Sequence, residues 1–224
     1  MPRRSSDVSR DWRRNTLPHI GNDIVDLKQP ANLSASRDSR FPRKVLTAVE
    51  IEFVRRAPNP ARFLWAFWAC KEAAYKVTRK NRSDASFLPR LWQVVMYPSE
   101  ALSFDGEVQM REEQKVYVRV FLRDDYVHCI GAESKETLKK IICKVESLEG
   151  KACAAGRGAS FFARECLKRR LAACLHLDYA YLQIKRKKGK DGFGPPMLHV
   201  GGKKSSIDVS LSHDGRFAAW AFAR

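Results

Sequence analysis

Phe63-Leu64-Trp65-Ala66-Phe67-Trp68-Ala69-Cys70-Lys71-Glu72-Ala73-Ala74-Tyr75-Lys76-Val77 is the stretch from which the rest of the chain is read. At about 100° per residue on a helix, Phe63, Phe67, Cys70, Ala74 and Val77 share one face. Leu64, Trp65, Trp68 and Tyr75 fill the adjoining one. A segment apolar almost all round predicts a buried central helix. Lys71, Glu72 and Lys76 interrupt it, and Glu72 and Lys76, four residues apart, meet on one side. Charges on such a helix are costly to bury unless paired or bound to a metal. Two readings stand: an internal ion pair on a core helix, or a functional carboxylate with its amine.

The chain has 224 residues, enough for one large domain or two small ones, and 44% hydrophobic content supplies a core. Net charge is +17, which calls for an acidic partner: nucleic acid, an anionic membrane, a polyphosphate ligand or an acidic protein. Residues 1–16 carry five arginines and read as a disordered basic tail. The six cysteines show no CxxC spacing and several sit in apolar runs, the usage of a reduced, cytoplasmic protein. The longest apolar run is broken by Lys71-Glu72, so no membrane span is expected.

His19 to Leu27 reads as a short strand with a Gly21-Asn22 break. Asp23 in its middle is either a turn aspartate or a metal carboxylate. Residues 28–46 read as a loop. Thr47-Ala48-Val49-Glu50 has capping-box spacing and starts a helix to about Arg56. Residues 79–86 read as a polar basic loop, either a solvated surface or a dock for an anionic partner. Period-two segments Trp92–Met96, Glu107–Met110, Val116–Leu122 and Tyr126–Ala132 predict antiparallel strands, with Asp105-Gly106 and Asp124-Asp125 as turns. Residues 133–151 read as a charged helix or linker, with the domain boundary at the small-residue stretch that follows. Residues 160–176 are helical, with Ser160 as N-cap. The basic run Lys185-Arg186-Lys187-Lys188-Gly189-Lys190 is a solvated hairpin tip or a phosphate contact. Two closing strands, Ile207–Ser212 and Phe217–Ala223, flank a turn at His213-Asp214-Gly215.

Three segments together resemble the signatures of the 4′-phosphopantetheinyl transferases. They are Gly21-Asn22-Asp23-Ile24-Val25, Trp68-Ala69-Cys70-Lys71-Glu72-Ala73-Ala74-Tyr75-Lys76 and Ser210-Leu211-Ser212-His213. The family patterns are G-x-D-[IV], W-x-x-K-E-[AS]-x-x-K and S-x-S-H. The order is that of the small trimeric holo-acyl-carrier-protein synthases, at about twice their length. Residues 17–150 resemble the second lobe of the surfactin-type two-lobed enzymes and residues 151–224 the first, as in a circular permutation. The resemblance implies an α+β fold of two pseudo-symmetric lobes, each a small antiparallel sheet packed with helices, in a monomer.

It also implies an activity: transfer of 4′-phosphopantetheine from coenzyme A to a serine of an acyl or peptidyl carrier protein, releasing adenosine 3′,5′-bisphosphate. Fatty-acid, polyketide and nonribosomal-peptide synthesis use such carriers. On this resemblance Asp23 and Glu72 hold Mg²⁺, and Asp23, Glu72 and Lys76 carry the chemistry. His213, Ser212, Lys71, Lys76, Arg157 and Ser160 contact coenzyme A. Two departures stand out. Val25 replaces a second acid, and Gly194-Pro195-Pro196 lacks the lysine of a family Gly-Lys-Pro, leaving residues 185–190 to supply a cation. The competing readings are a basic nucleic-acid-binding protein, with aromatics stacking on bases, and an inactive relative that binds carrier proteins. The resemblance itself implies no nucleic-acid partner and no membrane.

Overall fold

A computed structural model describes residues 18–97, 102–110, 114–149, 158–189 and 192–224. In chain order these form β1 (Ile20–Asp26), α1 (Pro30–Arg37), α2 (Arg40–Val45), α3 (Ala48–Arg56) and α4 (Pro60–Asn81). Strands β2 (Gln93–Met96), β3 (Ser103–Gln109), β4 (Lys115–Leu122) and β5 (Tyr126–Ala132) follow, then α5 (Lys135–Lys140) and β6 (Ile142–Ser147). The remainder is α6 (Ala159–Leu175), β7 (Leu182–Gly189), β8 (Gly192–Val200), β9 (Lys203–Lys204), β10 (Asp208–Asp214) and β11 (Phe217–Ala223).

The large sheet has the order β1-β5-β4-β3-β2, every pair antiparallel. α4 starts on Asn59, whose side chain accepts from the Arg62 N–H, with Pro60 at its first position. It runs for 22 residues across one face of this sheet. Phe67, Cys70, Ala73, Ala74 and Val77 are buried there with Val118, Val120 and Cys129. Helix and strand touch backbone to backbone: a Cβ on Gly21 would stand 2.1 Å from the Ala73 carbonyl oxygen. The glycine of the Gly-x-Asp segment is therefore a packing requirement. Gly21→Ala is expected to destabilise the protein by about 1–3 kcal/mol or more, by overpacking against an atom that cannot rotate away. A urea midpoint unchanged from wild type would contradict this.

The second face of the large sheet meets a smaller one, ordered β10-β11-β6. Ile20, Ile130 and Ala132 pack on Ala221 and Ala223. The opposite face of the small sheet carries α6, whose Ala163, Leu167 and Leu171 bury Val209, Leu211, Trp220 and Phe222. A third sheet, β7-β8-β9, adds Leu182 and Leu198 to the same core. Helix, sheet, sheet, helix is the layering: mixed helices and antiparallel sheets, as expected.

β1 is held to the small sheet along its edge. The Ile20, Asn22 and Asp26 N–H groups donate to Asp208 Oδ2 (2.7 Å), Ser210 Oγ (2.9 Å) and Asp214 Oδ2 (2.8 Å). Asp208, Ser210 and Asp214, alternate residues of β10, thus cap edge donors that would otherwise be unsatisfied. The two ends are clamped by charge. Lys80 Nζ donates to Asp208 Oδ2 at 2.8 Å, and Arg216 grips both oxygens of Asp26 at 2.7 and 2.9 Å.

Several expectations are corrected. Residues 28–46 contain two short helices, with Pro30 opening α1 and Phe41 packing on Trp65 and Trp68. α4 continues to Asn81, taking Arg79 and Lys80 into the helix. Asp105-Gly106 is no turn but the middle of β3: Asp105 pairs across to Arg119, and a Cβ at Gly106 would lie 2.5 Å from the Val95 carbonyl. Residues 142–147 are a strand, because Ile142, Cys143 and Val145 suit a half-buried edge and pair with β11. The N-cap of α6 is Gly158, so Ser160 lies inside the helix. Lys185–Lys188 lie within β7, short of any tip. His213 and Asp214 finish β10, and Gly215, with φ +48°, begins the turn.

His128 on β5 is buried and stacks on Phe121, with its Nε2 unpartnered. Burial and the charge of Lys76 push it from 6.5 down to about 3. The native state keeps this imidazole neutral, whereas the unfolded chain binds a proton below the ordinary histidine pKa. Its stabilisation is complete above about pH 6.5 and is lost as pH falls toward 3, at up to about 1.4 kcal/mol per pH unit. His128→Phe is expected to flatten that acid limb in urea midpoints measured from pH 7 to 4. An unchanged slope would contradict the assignment.

Candidate functional site

Glu72, Lys76 and Lys80 recur every four residues and form one stripe of α4. That stripe faces β1 and the seam between the two sheets. Lys76 Nζ donates to Asp23 Oδ1 at 2.7 Å and to the Asn22 carbonyl at 2.8 Å. Asp23 lies mid-strand opposite Cys129, so its carboxylate faces the helix; the turn reading is excluded. Lys80, 5% exposed, reaches through the seam to the Ile20 carbonyl, the Val209 carbonyl and Asp208.

The electrostatics single out Glu72. Its carboxyl is pushed from 4.5 up to about 7, first by burial and then by the negative charge of Asp23, with Lys76 pulling the other way. Asp23 is also raised, because burial outweighs its bond to Lys76. Two hard carboxylate donors that resist ionising together are a donor set that a divalent cation relieves. Among the described residues no group of three or more His, Cys, Asp or Glu side chains converges as a metal cluster. Asp23 and Glu72 are the two residues here that could hold a divalent cation such as Mg²⁺, with water and phosphate oxygens supplying the remaining donors.

The stripe opens into a cleft of about 220 Å³ lined by Lys76, Arg79, Lys80, Arg186, Phe193 and Pro195. Helix α4 provides one wall and the β7–β8 hairpin the other. Arg186 pairs across β8 with Pro196, so a cation does stand beside the Gly194-Pro195-Pro196 segment, contributed by the neighbouring strand. His213 stands near the end of β10, largely exposed, on the face opposite Ser212 and outside the residues that line the cleft; partial desolvation, Lys76 and Arg186 hold its pKa below the ordinary value.

Not every expected residue joins this cluster. Lys71 is wholly buried and points the other way: its Nζ donates to Glu50 Oε2 (2.6 Å), the Val45 carbonyl (2.9 Å) and the Pro89 carbonyl (2.8 Å). It has no path to a cofactor in the cleft, so its expected contact is corrected to a core role. Ser212 is buried, and its hydroxyl donates to Asn22 Oδ1 at 2.7 Å, tying β10 to β1. Ser160 is half-buried within the first turn of α6 and is not among the residues lining the cleft. Arg157 lies outside the described residues. Asp26 is committed to Arg216 and Lys28 and offers no third carboxylate.

The residues that sequence reasoning missed are Lys80, Arg79, Asn22 and Asp208. For Lys80 the signal was present, since it continues the four-residue spacing of Glu72 and Lys76. Asp208 was invisible, because only the packing of β10 across β1 brings it to Lys80.

Carboxylates, a lysine and a cationic cleft at the seam of two sheets make a site suited to chemistry on a phosphate ester or anhydride. The profile of the 4′-phosphopantetheinyl transferase superfamily matches residues 19–145, more than half of the chain, and the chain belongs to that superfamily. It is 37% identical over 57 residues to the holo-[acyl-carrier-protein] synthase of Leptospira biflexa serovar Patoc, a match covering 25% of this chain and 45% of that protein. The matched stretch therefore spans less than half the length of that relative. The holo-[acyl-carrier-protein] synthase of Laribacter hongkongensis is 28% identical over 117 residues, covering 50% of this chain and 92% of that one. Among solved structures, Thermotoga maritima holo-[acyl-carrier-protein] synthase aligns over 83% of this chain and 84% of its own, with 14% identity and a TM-score of 0.36. No helix among the described residues is long and apolar enough to cross a membrane.

Proposed function

We propose that this protein transfers 4′-phosphopantetheine from coenzyme A to a serine hydroxyl of an acyl or peptidyl carrier protein. The observation that carries the proposal is the buried Asp23 carboxylate held by a half-buried Lys76, with the raised carboxyl of half-buried Glu72 one turn away, at the cleft that Lys76 lines with Arg79, Lys80 and Arg186. In the reaction the serine oxygen bonds to the phosphorus bearing the pantetheine arm. The bond from that phosphorus to the bridging oxygen breaks, and adenosine 3′,5′-bisphosphate leaves.

Glu72, whose carboxyl burial and Asp23 raise in the metal-free protein, accepts the serine proton. Lys76, fixed by Asp23 and the Asn22 carbonyl, meets the charge that develops on the leaving phosphate. Arg79 and Arg186 hold the nucleotide from opposite walls, and His213 contacts its phosphates. Mg²⁺ held by Asp23 and Glu72 would neutralise pyrophosphate charge. The motif order supports lobes, near residues 17–150 and 151–224, permuted relative to the two-lobed enzymes, with β6 of the first segment contributed to the sheet of the second. The acidic surface expected of a carrier protein suits a chain of net charge +17.

Of the aromatics, Trp65 and Trp92 are spent in the core, each 5% exposed, and Phe87 packs on Trp68, Tyr75 and Trp92, whereas Tyr181 and Phe193 stay exposed. Titration calorimetry with coenzyme A tests the proposal. Binding is expected to tighten with Mg²⁺ and to lose that gain in Asp23→Asn. Absence of binding under both conditions would contradict it.

A further inference from the structure

The small sheet ends on an open edge. β6 pairs with β11 from Ile142 to Ser147, and among the described residues no strand pairs with its other side. The large sheet has no such gap at the comparable place, because β4 is followed by β3 and β2. The Leu148 N–H donates to the carbonyl of Arg216, the turn residue just before β11. By the alternation of an antiparallel ladder, the N–H groups of Cys143, Val145 and Ser147 therefore point outward. Such a row of unpaired donors and acceptors is a template for another strand.

Beside this edge α6 leaves a groove of about 590 Å³, lined by Ile142, Lys144, Phe162, Arg169, Arg170 and Trp220. Glu146, also on its rim, is answered by Lys144 at 3.0 Å. Arg169 and Arg170 are exposed and have no ion-pair partner among the described residues, so the groove keeps a net positive charge. A second sign comes from Trp220: it is 3% exposed, yet its indole N–H has no acceptor.

We propose that the β6 edge docks an extended acidic segment of a partner protein, which adds as a strand and sets its carboxylates against Arg169 and Arg170. A second copy of this chain is the poorer occupant, since each copy carries +17. The chain's own first sixteen residues, with five arginines, have the wrong sign.

The test uses the full chain and two fluorescein-labelled peptides, (Glu-Val)4 and (Lys-Val)4, followed by anisotropy. The acidic peptide is expected to bind at least about tenfold more tightly, and the double substitution Arg169→Glu/Arg170→Glu to remove that advantage. Hydrogen exchange at Cys143, Val145 and Ser147 is expected to slow on binding, and Val145→Pro to abolish it. Equal binding of the two peptides overturns the proposal. So does acidic-peptide binding without protection of those three amides, which would be a charge effect alone. Self-association of the protein that Val145→Pro removes overturns it in favour of a second copy.

Discussion

Glu72→Gln is expected to lower kcat/KM for phosphopantetheine transfer by about 10²–10⁴-fold, the range of a lost general base. The same substitution should stabilise the metal-free protein at neutral pH. The sign follows from linkage. Glu72 is raised from 4.5 to about 7 in the folded state, so between those values the native protein binds more protons than the unfolded chain. Stability therefore falls as pH rises through that window. A neutral amide of the same shape removes the conflict with Asp23 and flattens the fall, by about 1–3 kcal/mol after allowance for partial exposure. Activity lost with stability gained marks a residue kept for chemistry. Denaturant midpoints from pH 5 to 8, in chelator, measure it. A glutamine variant that is less stable throughout, or that retains turnover, would assign Glu72 to the scaffold.

Lys71→Met is expected to do the opposite: cost about 3–5 kcal/mol of stability and leave coenzyme A affinity unchanged in whatever protein folds. The reason is Glu50. Its carboxylate, 2% exposed, accepts from Lys71, from the Thr47 N–H in the α3 capping box and from the Val94 N–H at the start of β2. Removing the lysine strands a buried charge at a point where two helices and a strand meet. Lys71→Met/Glu50→Gln should recover part of the loss, because the uncompensated charge is gone. Urea unfolding of both variants, with coenzyme A titrations alongside, makes the comparison. A stable Lys71→Met protein with weakened coenzyme A binding would return Lys71 to the cofactor site.

Adjacent residues of one motif thus take opposite roles, and the sequence alone could not divide them. Lys71 and Glu72 are about 100° apart on the helix, and which side faces the seam depends on where Gly21 lets α4 rest. The central helix, the capping box at Thr47, the meander β2–β5 and the closing hairpin were legible, because period and cap chemistry are local signals. The bond from Lys76 to Asp23 was not legible: each residue stood out as a charge in an apolar element, but the sequence set Lys76 beside Glu72, and only the packing of α4 on β1 brings it to Asp23. Ser212 was read as a cofactor contact because its motif includes His213. The alternation of β10 sends the two to opposite faces, and only Asn22 on the other sheet explains the serine. β6 escaped notice because its charged residues Lys144 and Glu146 sit on an edge strand, where polarity masks the period. Asp26 shows the same limit. By sequence it could have replaced the missing second acid, but the turn at Gly215 brings Arg216 to it first.

The most direct measurement is the intact mass of an apo acyl carrier protein incubated with this protein, coenzyme A and Mg²⁺. The carrier serine is expected to gain about 340 Da, one phosphopantetheine group delivered from coenzyme A, and to gain nothing with Glu72→Gln over the same time. No gain with any of several acyl and peptidyl carriers, or an equal gain with the glutamine variant, would contradict this.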